Sequence, residues 1–284
     1  MKKIVIIIAI LVIKSSMCVW SQSVHEFSGY LSGGFSPLSY QLSQEKFTQG
    51  DRSGGFGGEV GLGYTYFLSA AEASNMRWGV HSGLGLGFYN AKSNIGNGKT
   101  LSKNLTDNEG DTFEFRSTLS GYSETQNAMF LIIPLMAHAQ IASKFYSKAG
   151  IKAGIPVSST YKTNEAKLTN VAYFDRYNNI IENAKYAGIG AFDLKETEGT
   201  LDLAFAVMFA LEAGMIFRIT DALTLYAGAY FDYGLNNSLK TNTDDTFVAY
   251  NPETPSKITT NSILTEYTDK ANVMAVGIRV RVGF

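Results

Sequence analysis

Large apolar residues return at every second position along much of this chain. Val60, Leu62, Tyr64 and Tyr66 alternate with Glu59, Gly61, Gly63 and Thr65. Trp78, Val80, Leu84, Leu86 and Phe88 alternate with Gly79, His81, Gly83, Gly85 and Gly87. Leu201 through Ile219 keep one phase, with Asp202, Glu212 and Arg218 on the other. Leu223 to Leu235 repeats the scheme, and Met274, Val276, Ile278, Val280, Val282 and Phe284 oppose Arg279 and Arg281. Period two is the signature of a β-strand whose faces meet different surroundings.

Eight such segments lie near 25–35, 54–67, 77–90, 124–141, 145–160, 201–219, 223–237 and 271–284. The spacers 68–76, 142–144 and 220–222 are short, whereas 36–53, 91–123, 161–200 and 238–270 are long and polar. A soluble sandwich gives no reason for that alternation. A membrane barrel does, because one side carries tight turns and the other long loops, and an even strand number returns both ends to the same side. The expected fold is all-β: an eight-stranded antiparallel up-and-down transmembrane β-barrel with short periplasmic turns and long extracellular loops. Ala and Met in 204–217 favour helix, but every second position there is the larger residue, which argues for strand. Pro134 interrupts its segment, and a bulge or kink is expected at it, since proline lacks the ladder N–H.

The first residues change the compartment. Lys2 and Lys3 precede an apolar run from Ile4 to Ile13, and Val19 and Ser21 fit a cleavage rule. Residues 1–21 are therefore read as a cleaved signal peptide and 22–284 as one barrel domain. Ten apolar residues are too few for a spanning helix, which needs roughly 20. Met17 before Cys18 argues against a lipoprotein signal. Cleavage removes the one cysteine and Lys2, Lys3 and Lys14, which takes the formal charge from −1 to −4. A nucleic-acid partner would call for a basic patch, so none is expected. The implied location is the outer membrane of a Gram-negative bacterium.

Inside an eight-stranded barrel there is room for side chains and little else. The inward phase holds Glu26, Glu59, Lys148, Lys152, Glu212, Arg218, Asp232, Arg279 and Arg281, with His81 and His138. Buried unpaired charges cost several kcal/mol each, so these residues are expected to form an interior charge network, with Asp232 and Glu26 neutralising Arg279 and Arg281. Gly61, Gly63, Gly83, Gly85 and Gly87 leave one wall bare, and Tyr226 and Tyr230 are expected to fill that space from across the barrel. The other outcome is a narrow cavity, and with it a narrow pore.

Chemistry beyond this is sparse. "GLGLG" (83–87) is not a nucleotide fingerprint, because no helix follows. "DNEGD" (107–111) has acidic spacing but lacks a calcium loop. Asp244–Asp245 is too little for paired catalytic acids. The expectation is no enzyme, no cofactor and no metal. The stretch 171–194 is rich in aromatic and aliphatic residues for a loop. It is expected either to cover the mouth or extend the strands, or to offer a contact surface.

Three stretches carry a resemblance. "FLIIPLMAHAQI" followed by "FYSKAGIKAGIP", the Gly-rich pair 54–67 and 77–88, and the closing "VGIRVRVGF" together resemble the small bacterial outer-membrane β-barrel protein family, OmpA/OmpX-like and closest to the PorT-like branch. That branch often places an acid two residues before the proline, where this chain has Ile132. The resemblance implies that Phe284 is part of the C-terminal signal read by the barrel-insertion machinery. With outer-membrane lipids, that machinery is an expected partner. The function expected is structural or interactive, through loops 161–200 and 238–270, with another envelope protein or an extracellular ligand as candidate partner. The alternative is an outer-membrane enzyme acting on lipid or peptide.

Overall fold

A computed structural model describes residues 24–42, 50–68, 75–107, 109–194, 197–220, 222–240, 247–249, 254, 256, 258–264 and 268–284. The signal segment 1–21 lies outside the described residues. Eight strands form the frame: β1 (His25–Phe35), β2 (Phe56–Phe67), β3 (Met76–Thr106), β4 (Thr112–Ile141), β5 (Phe145–Phe174), β6 (Ala206–Thr220), β7 (Leu223–Gly234) and β8 (Thr268–Gly283). Each pairs antiparallel with its neighbour in sequence. β1 also pairs with β8, from Ser28↔Gly283 to Phe35↔Val276, so the strands close into a ring without an edge. The Phe27 and Phe284 backbones exchange two hydrogen bonds (3.1 and 2.8 Å) at the seam.

At one end of the ring β4 and β5 are joined by a tight turn. Ala142 and Ser143 both take the left-handed region (φ 50° and 55°), and the Lys144 N–H donates to the Ile141 carbonyl at 3.2 Å. This is a type I′ turn, whose twist matches the flanking strands. At the other end the strands differ in height. β3, β4 and β5 run for 31, 30 and 30 residues, against 11–16 for the other five. At ~3.3 Å per residue the long strands measure about 100 Å along their length, and roughly half of each stands above the ring, where the short strand Gly50–Gly54, within the expected loop 36–53, pairs along β3 from Gly50↔Ile95 to Gly54↔Ala91.

That extension corrects the expected loops 91–123 and 161–200. Only the turn around 107–111 separates β3 from β4, and β5 continues to Phe174. The short strands Asn179–Ile181, Gly190–Asp193 and Glu198–Thr200 then fold back along β5. The pattern in these stretches is period two with its sense reversed. In the ring, β4 turns Leu131, Ile133 and Leu135 outward. Above it, Thr112, Glu114, Arg116 and Thr118 face outward while Phe113, Phe115 and Leu119 are buried. A sheet with one wet face needs that arrangement.

Three further points differ from expectation. Residues 201–205 are not strand in the ring; Leu201 and Leu203 turn into the loop core, and Leu203 bridges to Leu239. Pro134 carries no bulge: its pairing with Lys152 is in register, and on the β3 side Gly83 and Leu84 are left out of the ladder without a shift. Omitting a rung removes the need for the missing N–H. The bulge comes instead at Val157, between the pairs Met129↔Ser158 and Phe130↔Pro156.

Candidate functional site

The ring's interior is polar and its exterior apolar. Arg281 is 1% exposed, Lys152 1% and Arg279 4%, while Ile278, Leu31 and Leu62 are 67%, 65% and 60% exposed. Period two on β8 produces both facts at once.

The charges meet in the middle of the ring. Arg279 donates through Nη2 to Glu59 Oε2 (2.7 Å) and through Nη1 to Glu212 Oε2 (3.0 Å). Lys152 donates to the same Glu59 oxygen (2.9 Å) and to Asp232 Oδ2 (2.7 Å). The Tyr30 hydroxyl donates to Glu59 Oε1 (2.5 Å). Glu59 thus joins β1, β2, β5 and β8, and Asp232 and Glu212 add β7 and β6. Lys148 sits directly opposite Glu212 in register, with its Nζ at 3.8 Å. Nearer the turn end, Arg281 donates to Glu26 Oε1 (2.9 Å) and lies 3.7 Å over the Tyr226 ring. Four cations, Lys148, Lys152, Arg279 and Arg281, face four carboxylates, Glu26, Glu59, Glu212 and Asp232. Formal charge balances, as a sealed low-dielectric interior requires.

The partners differ from those expected in two places. Glu26 does hold Arg281, but Asp232 binds Lys152 rather than Arg279, whose carboxylates are Glu59 and Glu212. Arg218 is exposed near the turn end and stands outside the network, because the inward phase seals a side chain only away from the ends of the ring.

The bare glycine wall is filled at Gly63 by His81 and Ser28, at Gly87 by Tyr89 and Ile132, and at Gly61 and Gly85 by Tyr30, a residue that sequence reasoning missed. A Cβ at Gly61 would lie 2.6 Å from the Tyr30 hydroxyl, and one at Gly85 would also meet it. Tyr30 shares the inward phase of Glu26 and Ser28, so the pattern held the signal. Tyr226 and Tyr230 do not fill that space; they stack under Arg281 and Arg279 at 3.7 and 4.7 Å. Hydroxyls on neighbouring strands reach a narrow void sooner than rings from the far wall. His81 shares a 2.8 Å hydrogen bond with Thr65 Oγ1, and both are buried. His138 stands among the Phe67, Tyr146 and Tyr226 rings, and among the described residues neither ring nitrogen has a hydrogen-bond partner.

Above the network the core turns apolar and continues into the tall sheet. Leu38, Leu119, Phe130, Ile132, Phe247, Ile263 and Leu264 are fully buried in one cluster. A second polar node fixes loop residues across it. Glu124 accepts hydrogen bonds from Ser262 Oγ (2.5 Å), Gln126 Nε2 (2.7 Å), the Ile263 N–H (3.0 Å) and the Tyr122 hydroxyl. The Tyr40 hydroxyl reaches Ser93 and Gln126, which ties the first outer connection to the same node. Glu124 lies above the apolar exterior, and burial raises its carboxyl above the ordinary range against the opposing pull of these donors. Glu124 shares the inward phase of His138 within the expected segment 124–141, so the pattern held this signal too.

The remaining motifs have plain places. Asp107 and Asp111 shape the β3–β4 turn, where Asp107 Oδ1 accepts the Glu109 and Asp111 N–H groups. Asp111 accepts from Arg176 and Tyr177, both at 2.9 Å. Within 171–194, Ala172, Ala184 and Ile189 are buried on the tall sheet, while Tyr177, Ile180 and Tyr186 are exposed. Asp244–Asp245 lies outside the described residues.

No family model matches the chain, and no curated protein matches it. Among solved structures it is similar to a major outer membrane protein from Thermus thermophilus, with 10% identity and a TM-score of 0.32 over 92% of this chain and 99% of that one. Overlap at that score is loose, and the closed ring is established by the register of its own strands.

Proposed function

We propose that this chain is an integral outer-membrane β-barrel of eight strands, with the tight turns on the periplasmic side and the tall sheet and loops outside the cell. The observation that carries the reading is the inverted surface. A continuous apolar exterior encircles a charged interior, and aromatic residues mark both of its rims. Phe27, Tyr66, Trp78, Phe145 and Phe217 lie toward the turn end, and Phe35, Phe56, Phe88, Phe205 and Tyr233 toward the loop end, all exposed. Phe56 and Tyr66 are ten residues apart on β2, about 34 Å along the strand, and a tilt of roughly 40° reduces this to about 25 Å, the height of an apolar band in such barrels. Left in water, so large a patch would drive association.

The barrel is non-enzymatic and closed. Its carboxylates are occupied by cations, and the network crosses the ring from β2 to β5, which supports a structural or interaction protein rather than a pore. Interaction belongs to the extracellular part, loops 161–200 and 238–270, whose described residues Leu239, Phe247, Ile263 and Leu264 pack in the core of the tall sheet while Tyr177, Ile180 and Tyr186 are exposed. Outer-membrane lipids and the barrel-insertion machinery, acting on the Phe284 end, are its general partners. The test combines the heat-modifiable gel shift of the membrane fraction with protease clipping of intact cells. A shift on boiling and cleavage confined to the loop end are expected. A chain that stays dispersed without detergent refutes the reading.

A further inference from the structure

The exterior of β3, β4 and β5 changes character in steps as it leaves the apolar band. Phe88 and Met129 are neighbours in register and close the band. One step higher Asn90, Asn127 and Thr160 form a row across the three strands, each directly opposite the next. Above that row come Lys92, Thr125 and Lys162, again in register. From Phe88 to Lys92 is about 13 Å along the strand, and the two lysine backbones are about 10 Å apart. Elsewhere on the rim the corresponding outward residues are aromatic: Phe35, Phe56, Phe205 and Tyr233.

The surface here is also concave. The bulge at Val157 turns both Val157 and Ser158 outward, as an inserted residue does when it re-aims its neighbours. Beside it lies a depression of about 140 Å³ bounded by Phe88, Asn90, Asn127, Met129, Ser158 and Thr160. The side chains of Asn127, Ser158, Thr160 and Lys92 make no hydrogen bond or ion pair among the described residues. Lys162 meets a solvent-exposed carboxylate, Glu198 at 3.1 Å, and such a pair is weak enough to be shared.

Apolar, then neutral hydrogen-bonding, then cationic is the sequence of chemistries along an anionic amphiphile lying in a leaflet. We propose that this depression binds one phosphorylated lipid of the outer leaflet. Its chain lies on Phe88 and Met129, its ester, amide or sugar groups meet Asn127, Ser158 and Thr160, and its phosphate sits between Lys92 and Lys162. The inference rests on the membrane-embedded reading above. Charge complementarity and continuity with the apolar band select a lipid over a soluble anion.

The test uses the full chain folded in a neutral detergent and read by native mass spectrometry. It is mixed with a phosphorylated diacyl lipid, with a zwitterionic lipid of the same chains, or with inorganic phosphate. One retained phosphorylated lipid per chain is expected. Weakening by roughly 30-fold is expected in K92A/K162A, since each lysine at a membrane surface contributes about a factor of five, and recovery in K92R/K162R. Equal retention of the zwitterionic lipid, an unchanged K92A/K162A, or displacement of the lipid by inorganic phosphate overturns the site. The parent and both variants should keep the heat-modifiable shift. A chain that shows the shift yet retains no lipid refutes the site alone, whereas one that needs no detergent refutes the barrel.

Discussion

Arg279→Met removes one cation from a balanced interior and leaves seven charges among the eight sites. Glu59 keeps Lys152 (2.9 Å) and the Tyr30 hydroxyl, but among the described residues the ion pair left to Glu212 is Lys148 at 3.8 Å. Removing one partner of a buried pair costs about 3–5 kcal/mol, because the other charge stays behind without compensation. At roughly 2–4 °C per kcal/mol for a chain of this size, the unfolding midpoint in detergent should fall by about 6–20 °C. The companion change Glu212→Gln restores the balance at three cations and three carboxylates. It should therefore cost much less in the Arg279→Met background than alone, a non-additivity expected of groups in one network. The assay is the temperature at which the folded band disappears from an unheated gel series, checked by tryptophan fluorescence in urea. If Arg279→Met leaves the midpoint unchanged, or if the two substitutions simply add, the interior is not a charge-balanced network and the argument from burial fails.

Three other outcomes follow from the same geometry. Gly85→Ala should destabilise by about 1–3 kcal/mol as an overpacked position, since its Cβ meets the Tyr30 hydroxyl and lies 3.0 Å from Glu59 Oε1; Tyr30→Phe should then cost less than it does in the parent, and equal costs in urea melts would refute the contact. Glu124 binds its proton more tightly folded than unfolded, so its contribution to closing the loops is full below the ordinary carboxylate range and is lost as pH climbs through its raised value. Among the groups around it, Tyr122 and Tyr161 are the titratable ones, so hydrogen-exchange protection of 258–264, corrected for intrinsic rate, should fall as pH rises above the ordinary carboxylate range in the parent and stay level in Glu124→Gln; identical slopes would exclude the carboxyl. Ala142→Asn with Ser143→Gly should raise stability by about 1 kcal/mol, because a non-glycine residue in the left-handed region is strained, and no gain in the urea midpoint would show that the turn is relaxed in solution.

Period two alone carried most of the frame. Phase alone assigns residues such as Glu59, Lys152, Glu212, Arg279 and Arg281 to the interior, because a closed eight-strand ring gives each alternate position only one of two places. The number of ring strands and the short turns followed from the same alternation. The height of β3 to β5 did not, because a reader tuned to greasy-outward strands sees Thr112 to Ser120 as loop once the outward positions become polar.

What the sequence by itself determined was therefore the face on which each residue lies. The tertiary structure decided which residue on that face meets which: Asp232 with Lys152 instead of Arg279, Tyr30 over Gly61 and Gly85 instead of Tyr226, Glu124 with a loop 138 residues away. The physical reason is that phase is a local property of one strand. Partnership across a ring depends on the stagger of all eight strands at once, and no single segment encodes that stagger.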